Sequence, residues 1–103
     1  MSISLGLRES DLTQILSVLK NQPEITEALI FGSRAKGNYK NGSDVDIALK
    51  GDISFQKVSQ VGFMLNEQTL MPYKFDVLNF HTIQNSDLIE HINRVGVLIY
   101  KAT

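Results

Sequence analysis

The sequence of 103 residues contains no cysteine, which excludes disulfides, thiolate metal ligands and cysteine nucleophiles. It also contains no apolar run that approaches the ~20 residues needed to cross a membrane as a helix. Residues 1–7 lack a charged start followed by a long apolar segment, so we expect no signal peptide and a cytoplasmic location.

The sequence has no excess of positive charge, because ten basic and eleven acidic residues give a net charge of −1. Proteins that hold duplex nucleic acid through its phosphates usually carry a clear basic excess, so this class of partner is disfavoured. The length leaves room for one hydrophobic core, and we expect a single domain over residues 1–103.

Hydrophobic periodicity predicts alternating helices and strands. The predicted helices are one capped by Ser10 or Asp11, one turn from Ser33 to Gly37, a long helix from Ser54 to about Leu70 and a last helix from Ser86 to Arg94. The predicted strands are 28–31, 44–49, 73–80 and 97–100. In the long helix, the side chains expected to face inward are Phe55, Val58, Val61, Met64 and Leu65.

The lengths of the connections predict the sheet topology. The link between the first two strands is too short for a parallel crossover, so these strands should be antiparallel. A long helix joins the second and third strands, which favours a parallel, right-handed crossover. The sequence therefore predicts an α/β (α+β) fold with a small mixed β-sheet and helices packed against it.

The first candidate binding feature is Gly32-Ser33 at a strand-to-helix junction. A helix N-terminus offers backbone N–H groups to a phosphate, glycine lets the phosphate approach closely, and Ser33 adds a hydroxyl donor. Arg34, with Lys36 and Lys40, is near enough in sequence to neutralise phosphate charge. Taken alone, the same residues are also typical of a simple turn.

The second feature is a set of three aspartates. Asp44 and Asp46 alternate with apolar residues on one strand, so their side chains share a face, with Cα atoms roughly 6.6 Å apart. Asp76 interrupts a later apolar strand, where aspartate is depleted. The alternatives left open are a solvated edge strand for Asp46 and an ion pair between Asp76 and Lys74.

Together, a phosphate-binding turn and three carboxylates on neighbouring strands suit phosphoryl transfer with two metal ions. Divalent cations would neutralise the carboxylates and accept triphosphate oxygens. Magnesium fits this set, because its preferred ligands are carboxylate, phosphate and water.

The segments FGSRAKG (31–37) and SDVDIA (43–48), with Asp76 later in the chain, resemble the signature of the DNA polymerase β-like nucleotidyltransferase superfamily. More narrowly, the chain resembles the minimal nucleotidyltransferases of prokaryotes, the MntA-like group. The resemblance covers nearly the whole chain in length and element order, and it implies a nucleotidyltransferase fold.

The resemblance also implies roles for individual residues. Nucleotide-binding roles fall to Gly32, Ser33, Arg34 and Ser43. The resemblance implies that Asp44 and Asp46 bind two Mg²⁺ ions, and that Asp76 binds the ion next to the acceptor hydroxyl and helps to deprotonate it. The implied reaction transfers a nucleoside monophosphate, usually AMP from ATP, and releases pyrophosphate.

The implied partner is a helical HEPN-type protein, modified on a hydroxyl by the chain as the antitoxin of a type VII-like toxin–antitoxin pair. A chain of 103 residues leaves little length for an acceptor-binding region, which is consistent with an acceptor that belongs to another protein. Two alternatives stay open: a module that neutralises its partner by contact alone, and an aminoglycoside-type enzyme acting on a small molecule. His81 and His91, the only histidines, are expected in loop, packing or surface roles.

Overall fold

The computed structural model describes residues 5–103. The first four residues, part of the segment in which no signal peptide was expected, lie outside the described residues. The elements in chain order are α1 (Glu9–Lys20), β1 (Ile25–Phe31), α2 (Ser33–Lys36), β2 (Val45–Gly51), α3 (Phe55–Glu67), β3 (Phe75–Asn79), a 3₁₀ turn (Phe80–Thr82), α4 (Ser86–Val95) and β4 (Val97–Lys101). The predicted α/β class is confirmed.

The four strands form one mixed sheet in the order β3-β2-β1-β4. The antiparallel pairing of β1 with β2 and the parallel pairing of β2 with β3 are both confirmed. β4 returns to the other side of β1 and pairs with it antiparallel. Since β2 lies inside the sheet, the alternative that placed Asp46 on a solvated edge strand is wrong.

The two faces of the sheet are covered unequally. One face packs against α1 and α3, and buried residues such as Ile15, Ile47 and Leu65 form the main hydrophobic core there. A smaller apolar cluster of Phe31, Ala48 and Ile92 lies between the other face and α4. The side chains of β2 alternate between these faces, so Asp46 is on the same face as Ala48.

The start of α1 differs from the prediction. The helix begins at Glu9 with Arg8 at the N-cap position, and Asp11 occupies the third helical position, where its carboxylate accepts the Arg8 backbone N–H. Ser10 and Asp11 are therefore inside the helix. An aspartate at the third position accepts the N–H of the N-cap residue, whereas one at the cap accepts an N–H of the first turn, and aspartate is typical of both places.

The long helix begins as predicted, with the Ser54 side chain accepting the N–H of Lys57, but it ends at Glu67 rather than near Leu70. Val61 and Leu65 are buried as expected, whereas Phe55 is 80% exposed, so its inward assignment was wrong. Phe55 occupies the first helical position, before the helix lies along the sheet. In residues 5–103 no helix combines the length and apolar character needed to cross a bilayer.

Candidate active site

The turn between β1 and α2 brings the backbone against a carboxylate. Gly32 has φ +75°, a conformation that residues with side chains rarely adopt. A Cβ built on Gly32 would collide with a carboxylate oxygen of Asp46, so only glycine fits between the turn and that side chain. The short helix that follows ends at Gly37 with φ +86°, as the sequence predicted.

The three aspartates lie at one end of the sheet. Asp46 is directly opposite Asp76 in the parallel register of β2 and β3, and directly opposite Phe31 in the antiparallel register of β1 and β2. Adjacent strands are about 4.8 Å apart, so the two carboxylates start from neighbouring backbone positions. Asp44 lies in the loop immediately before β2, close enough to influence the pKa of Asp46. Asp44 and Asp76 are exposed, and Asp46 is half-buried.

Asp46 is the carboxylate on which the surroundings act most strongly. Partial burial raises its pKa above the ordinary aspartate range, and the negative charges of Asp76 and Asp44 raise it further. The charges of His91 and Arg34 oppose this rise without cancelling it. A raised pKa next to two further carboxylates marks a place where a cation would stabilise the ionised form.

The donor set fits a divalent cation by its chemistry. Asp46 and the neighbouring carboxylates of Asp44 and Asp76 repel one another, and they are the hard oxygen ligands that Mg²⁺ prefers. Among residues 5–103, no group of three His, Cys, Asp or Glu side chains lies close enough together, in its present orientation, to hold a metal ion. The exposed side chains of Asp44 and Asp76 have room to rotate toward Asp46.

Arg34 is placed differently from its expected nucleotide-binding role. Its side chain is 2% exposed, and its guanidinium donates to the backbone carbonyls of Leu5, Gly6 and Ser43. Donors used in this way are not presented to a phosphate. The sequence did not reveal these contacts, because proximity in sequence to Ser33 says nothing about the direction in which a long side chain leaves a short helix.

Ser43 lies in a tight turn immediately before Asp44. Its hydroxyl accepts the backbone N–H of Lys40 at 2.8 Å, and its own N–H donates to the Lys40 carbonyl at 3.0 Å. Its carbonyl receives two N–H groups of Arg34. Ser43 therefore shapes the loop that delivers Asp44, while Gly32 and Ser33 remain next to Asp46 as the candidate phosphate seat.

His91 joins the site although its sequence context indicated only a packing or surface role. Its Nε2 accepts the backbone N–H of Gly32 at 3.0 Å, across 59 positions of the chain. Its ring also makes an edge contact with Phe31. No local sequence pattern predicts this contact, because it depends on α4 folding back over the end of β1.

Asp76 takes no part in the ion pairs found within the described chain, so the pair with Lys74 that the sequence left open is not observed.

One cavity beside the sheet lies away from the aspartates. An apolar cleft of about 380 Å³ lies between the start of α3 and the end of β3, and its lining residues are Ile53, Phe55, Val58, Val77, Leu78, Asn79 and Thr82. The aspartates sit at the opposite end of β3, on an open surface. A second large substrate can therefore approach them directly.

Comparison with known proteins places the chain in a defined group. The profile of the family described as "Polymerase beta, Nucleotidyltransferase" matches residues 13–103. A Methanocaldococcus jannaschii protein, whose name describes it as a candidate protein adenylyltransferase, is 35% identical over 52 residues. That alignment covers 48% of this chain and 52% of the relative, so the chain matches about half the length of that protein.

Solved structures share the fold. A toxin–antitoxin complex with AMP-PNP superposes with TM-score 0.73 and 17% identity over 89% of this chain and 74% of the other. The MntA–HepT toxin–antitoxin structure superposes with TM-score 0.70 and 14% sequence identity, over 92% of this chain and 74% of the other chain. A structure of a tri-AMPylated Shewanella oneidensis HEPN toxin in complex with MNT antitoxin superposes with TM-score 0.70 and 14% sequence identity. The match covers 93% of this chain and 74% of the other chain. At these identities the similarity establishes the fold.

Proposed function

The chain belongs to the polymerase beta nucleotidyltransferase family, and from this membership we propose that it transfers AMP from ATP to a hydroxyl of a HEPN-type protein. Asp46 lies opposite Asp76 and against the Gly32 turn, and this juxtaposition carries the proposal. The match to a complex of an MNT antitoxin with an AMPylated HEPN toxin supports the partner class. The relative named as a candidate protein adenylyltransferase supports the reaction.

In this proposal Gly32, which has no side chain, lets the triphosphate come close to the turn, while Ser33 binds it through its backbone N–H and its hydroxyl. Asp44, Asp46 and Asp76 would hold two Mg²⁺ ions. When bound there, Mg²⁺ supplies positive charge that neutralises the phosphates and lowers the cost of attack. ATP is the expected donor, although another nucleoside triphosphate has the same phosphates.

The transfer itself needs a proton acceptor and an open approach. The acceptor oxygen forms a bond to the α-phosphorus, the bond from that phosphorus to the bridging oxygen of the β-phosphate breaks, and pyrophosphate leaves. Asp76, on the exposed edge strand, takes the proton of the hydroxyl. The open surface around it allows the side chain of another protein to enter. We further propose that residues 1–103 work as one domain in the cytoplasm, as the antitoxin of a type VII-like pair.

The experiment incubates the protein with Mg²⁺, ATP and the HEPN-type protein encoded by a neighbouring gene. We expect label on that protein from [α-³²P]ATP and none from [γ-³²P]ATP. Removing a metal-binding carboxylate deprives the transition state of several kcal/mol, so Asp46→Asn should reduce the rate by about 1000-fold. Asp44→Asn should have a similar effect.

The matched control is Asp52→Asn, because Asp52 is an exposed aspartate just after the other end of β2. It should label the partner at the normal rate. Undiminished labelling by both Asp44→Asn and Asp46→Asn would refute the assigned metal roles. Neutralisation of the partner by the triple aspartate variant would instead favour action by contact alone, and pyrophosphate release with a small hydroxyl acceptor would favour a small-molecule enzyme.

A further inference from the structure

Arg34 is the largest fully buried side chain of the described residues that carries a charge, and its hydrogen bonds go to backbone carbonyls of two separate segments. Its Nε and Nη2 donate to the same carbonyl oxygen, that of Ser43, at 3.2 and 2.8 Å. Its Nη1 donates to the carbonyls of Leu5 and Gly6 at 3.0 and 3.2 Å. One side chain thus connects α2, the N-terminal segment and the loop before β2.

The planar guanidinium is also held by aromatic rings. Its central carbon lies 5.3 Å from the ring centroid of Tyr39 and 4.9 Å from that of Tyr73. Tyr73 is in turn fixed by a 2.7 Å hydrogen bond from its hydroxyl to Asp11. Because cation–π contacts and carbonyl bonds act on the same group, the orientation of Arg34 is determined from several directions.

The carbonyl that Arg34 holds belongs to the peptide that joins Ser43 to Asp44. Fixing this peptide restricts the backbone from which the Asp44 side chain leaves. We propose that Arg34 is a positioning residue, which clamps the Ser43 carbonyl and so fixes the backbone from which the Asp44 side chain can turn toward Asp46 and Asp76. This inference rests on the proposed function for its purpose, but the clamp itself is a property of the loop.

Charge adds to geometry in this arrangement. Arg34 also brings a positive charge close enough to act on Asp46. A lysine would retain the positive charge but has no planar fork with which to donate two parallel N–H groups to one oxygen. Arg34→Lys therefore separates the clamp from the charge.

The test compares Arg34→Lys with Tyr73→Phe, each confirmed to be folded by circular dichroism. Tyr73→Phe keeps the ring beside Arg34 and removes only the bond to Asp11, so it destabilises the neighbourhood without touching the Ser43 carbonyl. The first readout is hydrogen exchange of the backbone amides of residues 40–45. The second is the dissociation constant for Mn²⁺, measured by calorimetry in the presence of a non-hydrolysable ATP analogue.

We expect Arg34→Lys to accelerate exchange in residues 40–45 and to weaken Mn²⁺ binding by about 10-fold, the lower end of what the loss of a residue supporting a metal ligand costs. Tyr73→Phe should leave both values near those of the wild type. Wild-type values for Arg34→Lys would overturn the proposal, and so would equal losses in the two variants, because these would indicate general destabilisation.

The wild-type protein gives an independent measurement if Arg34→Lys does not fold. The Nε–H resonance of Arg34 should exchange slowly with water, and it should shift together with the Asp44 amide when Mg²⁺ is added. Rapid exchange of that proton would contradict the clamp. If the wild type binds no metal, the proposed function fails, yet the exchange data still decide whether Arg34 fixes the loop.

Discussion

Asp11 and Asp46 show how the same side chain behaves in two regions of one small fold. Asp11 is fully buried at the start of α1, where it accepts hydrogen bonds from Arg8 and from the Tyr73 hydroxyl. Burial alone would raise its pKa, but the bonds from Arg8 and Tyr73 outweigh burial and hold the pKa below its ordinary value. The pKa of Asp46 is raised, because burial raises it, the negative charges of Asp76 and Asp44 raise it further, and His91 and Arg34 offset these effects only in part.

The opposite pKa shifts show that the ionised carboxylate of Asp11 stabilises the folded state, whereas that of Asp46 destabilises it. The partners of Asp11 belong to the same chain and are already in place, so its charge favours the native state. The charge of Asp46 opposes the native state until a cation arrives. Unpaired carboxylates of this kind are typical of functional sites.

The largest expected effect on stability comes from removing the hydrogen bonds that Arg8 and Tyr73 make to Asp11. Asp11→Asn removes the charge that Arg8 and Tyr73 satisfy, and hydrogen bonds to charged groups are worth about 1.5–3 kcal/mol. We expect the free energy of unfolding, measured in urea, to fall by about 2 kcal/mol at neutral pH. Transferase activity at a temperature where the variant is fully folded should change little.

This loss should depend on pH with a definite sign. Because the pKa of Asp11 is depressed in the folded state, its stabilising contribution is complete above the ordinary aspartate pKa of about 3.9 and disappears as pH falls through the folded-state value. Wild type and Asp11→Asn should therefore converge in acid. A constant difference down to pH 2 would contradict this origin. Asp87→Asn, in the exposed first turn of α4, serves as the control.

An intermediate effect is expected from His91, which connects α4 to the candidate phosphate seat. His91→Phe removes the acceptor for the Gly32 N–H, and a neutral hydrogen bond of this kind is worth about 1 kcal/mol. We expect the KM for ATP to rise by about 5-fold, with a smaller rise for His91→Gln, which keeps an acceptor. His81→Phe, at an exposed position in the 3₁₀ turn, should leave KM unchanged. Equal effects at both histidines would remove His91 from the site.

The smallest expected effect is a gain in stability, opposite in sign to the loss expected for Asp11→Asn. Asp46→Asn removes a charge whose pKa is raised by burial, Asp76 and Asp44, so the protein without metal should gain about 0.5 kcal/mol of stability at neutral pH. The gain should be complete above the folded-state pKa and vanish as pH falls below about 3.9, where Asp46 is protonated in both states. Thermal unfolding with and without Mg²⁺ measures it. A loss of stability would mean that Asp46 is already compensated within the chain.

The sequence predicted the parts of the site that follow from local alternation. The alternation around Asp46 and the strand around Asp76 were enough to place these two aspartates on neighbouring strands, given a parallel crossover through α3, whereas Asp44 lies just before β2. The contacts of Arg34 and His91 were not predictable in this way, because their partners lie up to 59 positions away. Local patterns specify which face a side chain occupies, whereas tertiary packing decides what a long side chain reaches.

Errors at the ends of elements had a similar cause. The third strand was expected from Tyr73, but it begins at Phe75, since Tyr73 turns toward Asp11 and Arg34 instead of joining the sheet. The exposure of Phe55 shows the same limitation, because an apolar residue fits a helical pattern whether or not another element covers it.

The missing side chain at position 32 has one more consequence. Gly32→Ala adds a single methyl group, yet that methyl would meet the carboxylate of Asp46 while the backbone resists the required twist. Relief would come most simply by pushing the acid aside, so a mutant library screened only for expression and solubility would pass molecules that have lost their chemistry. A Gly32→Ala protein that still folds should therefore keep its sheet and helices while Asp46 is displaced from the turn.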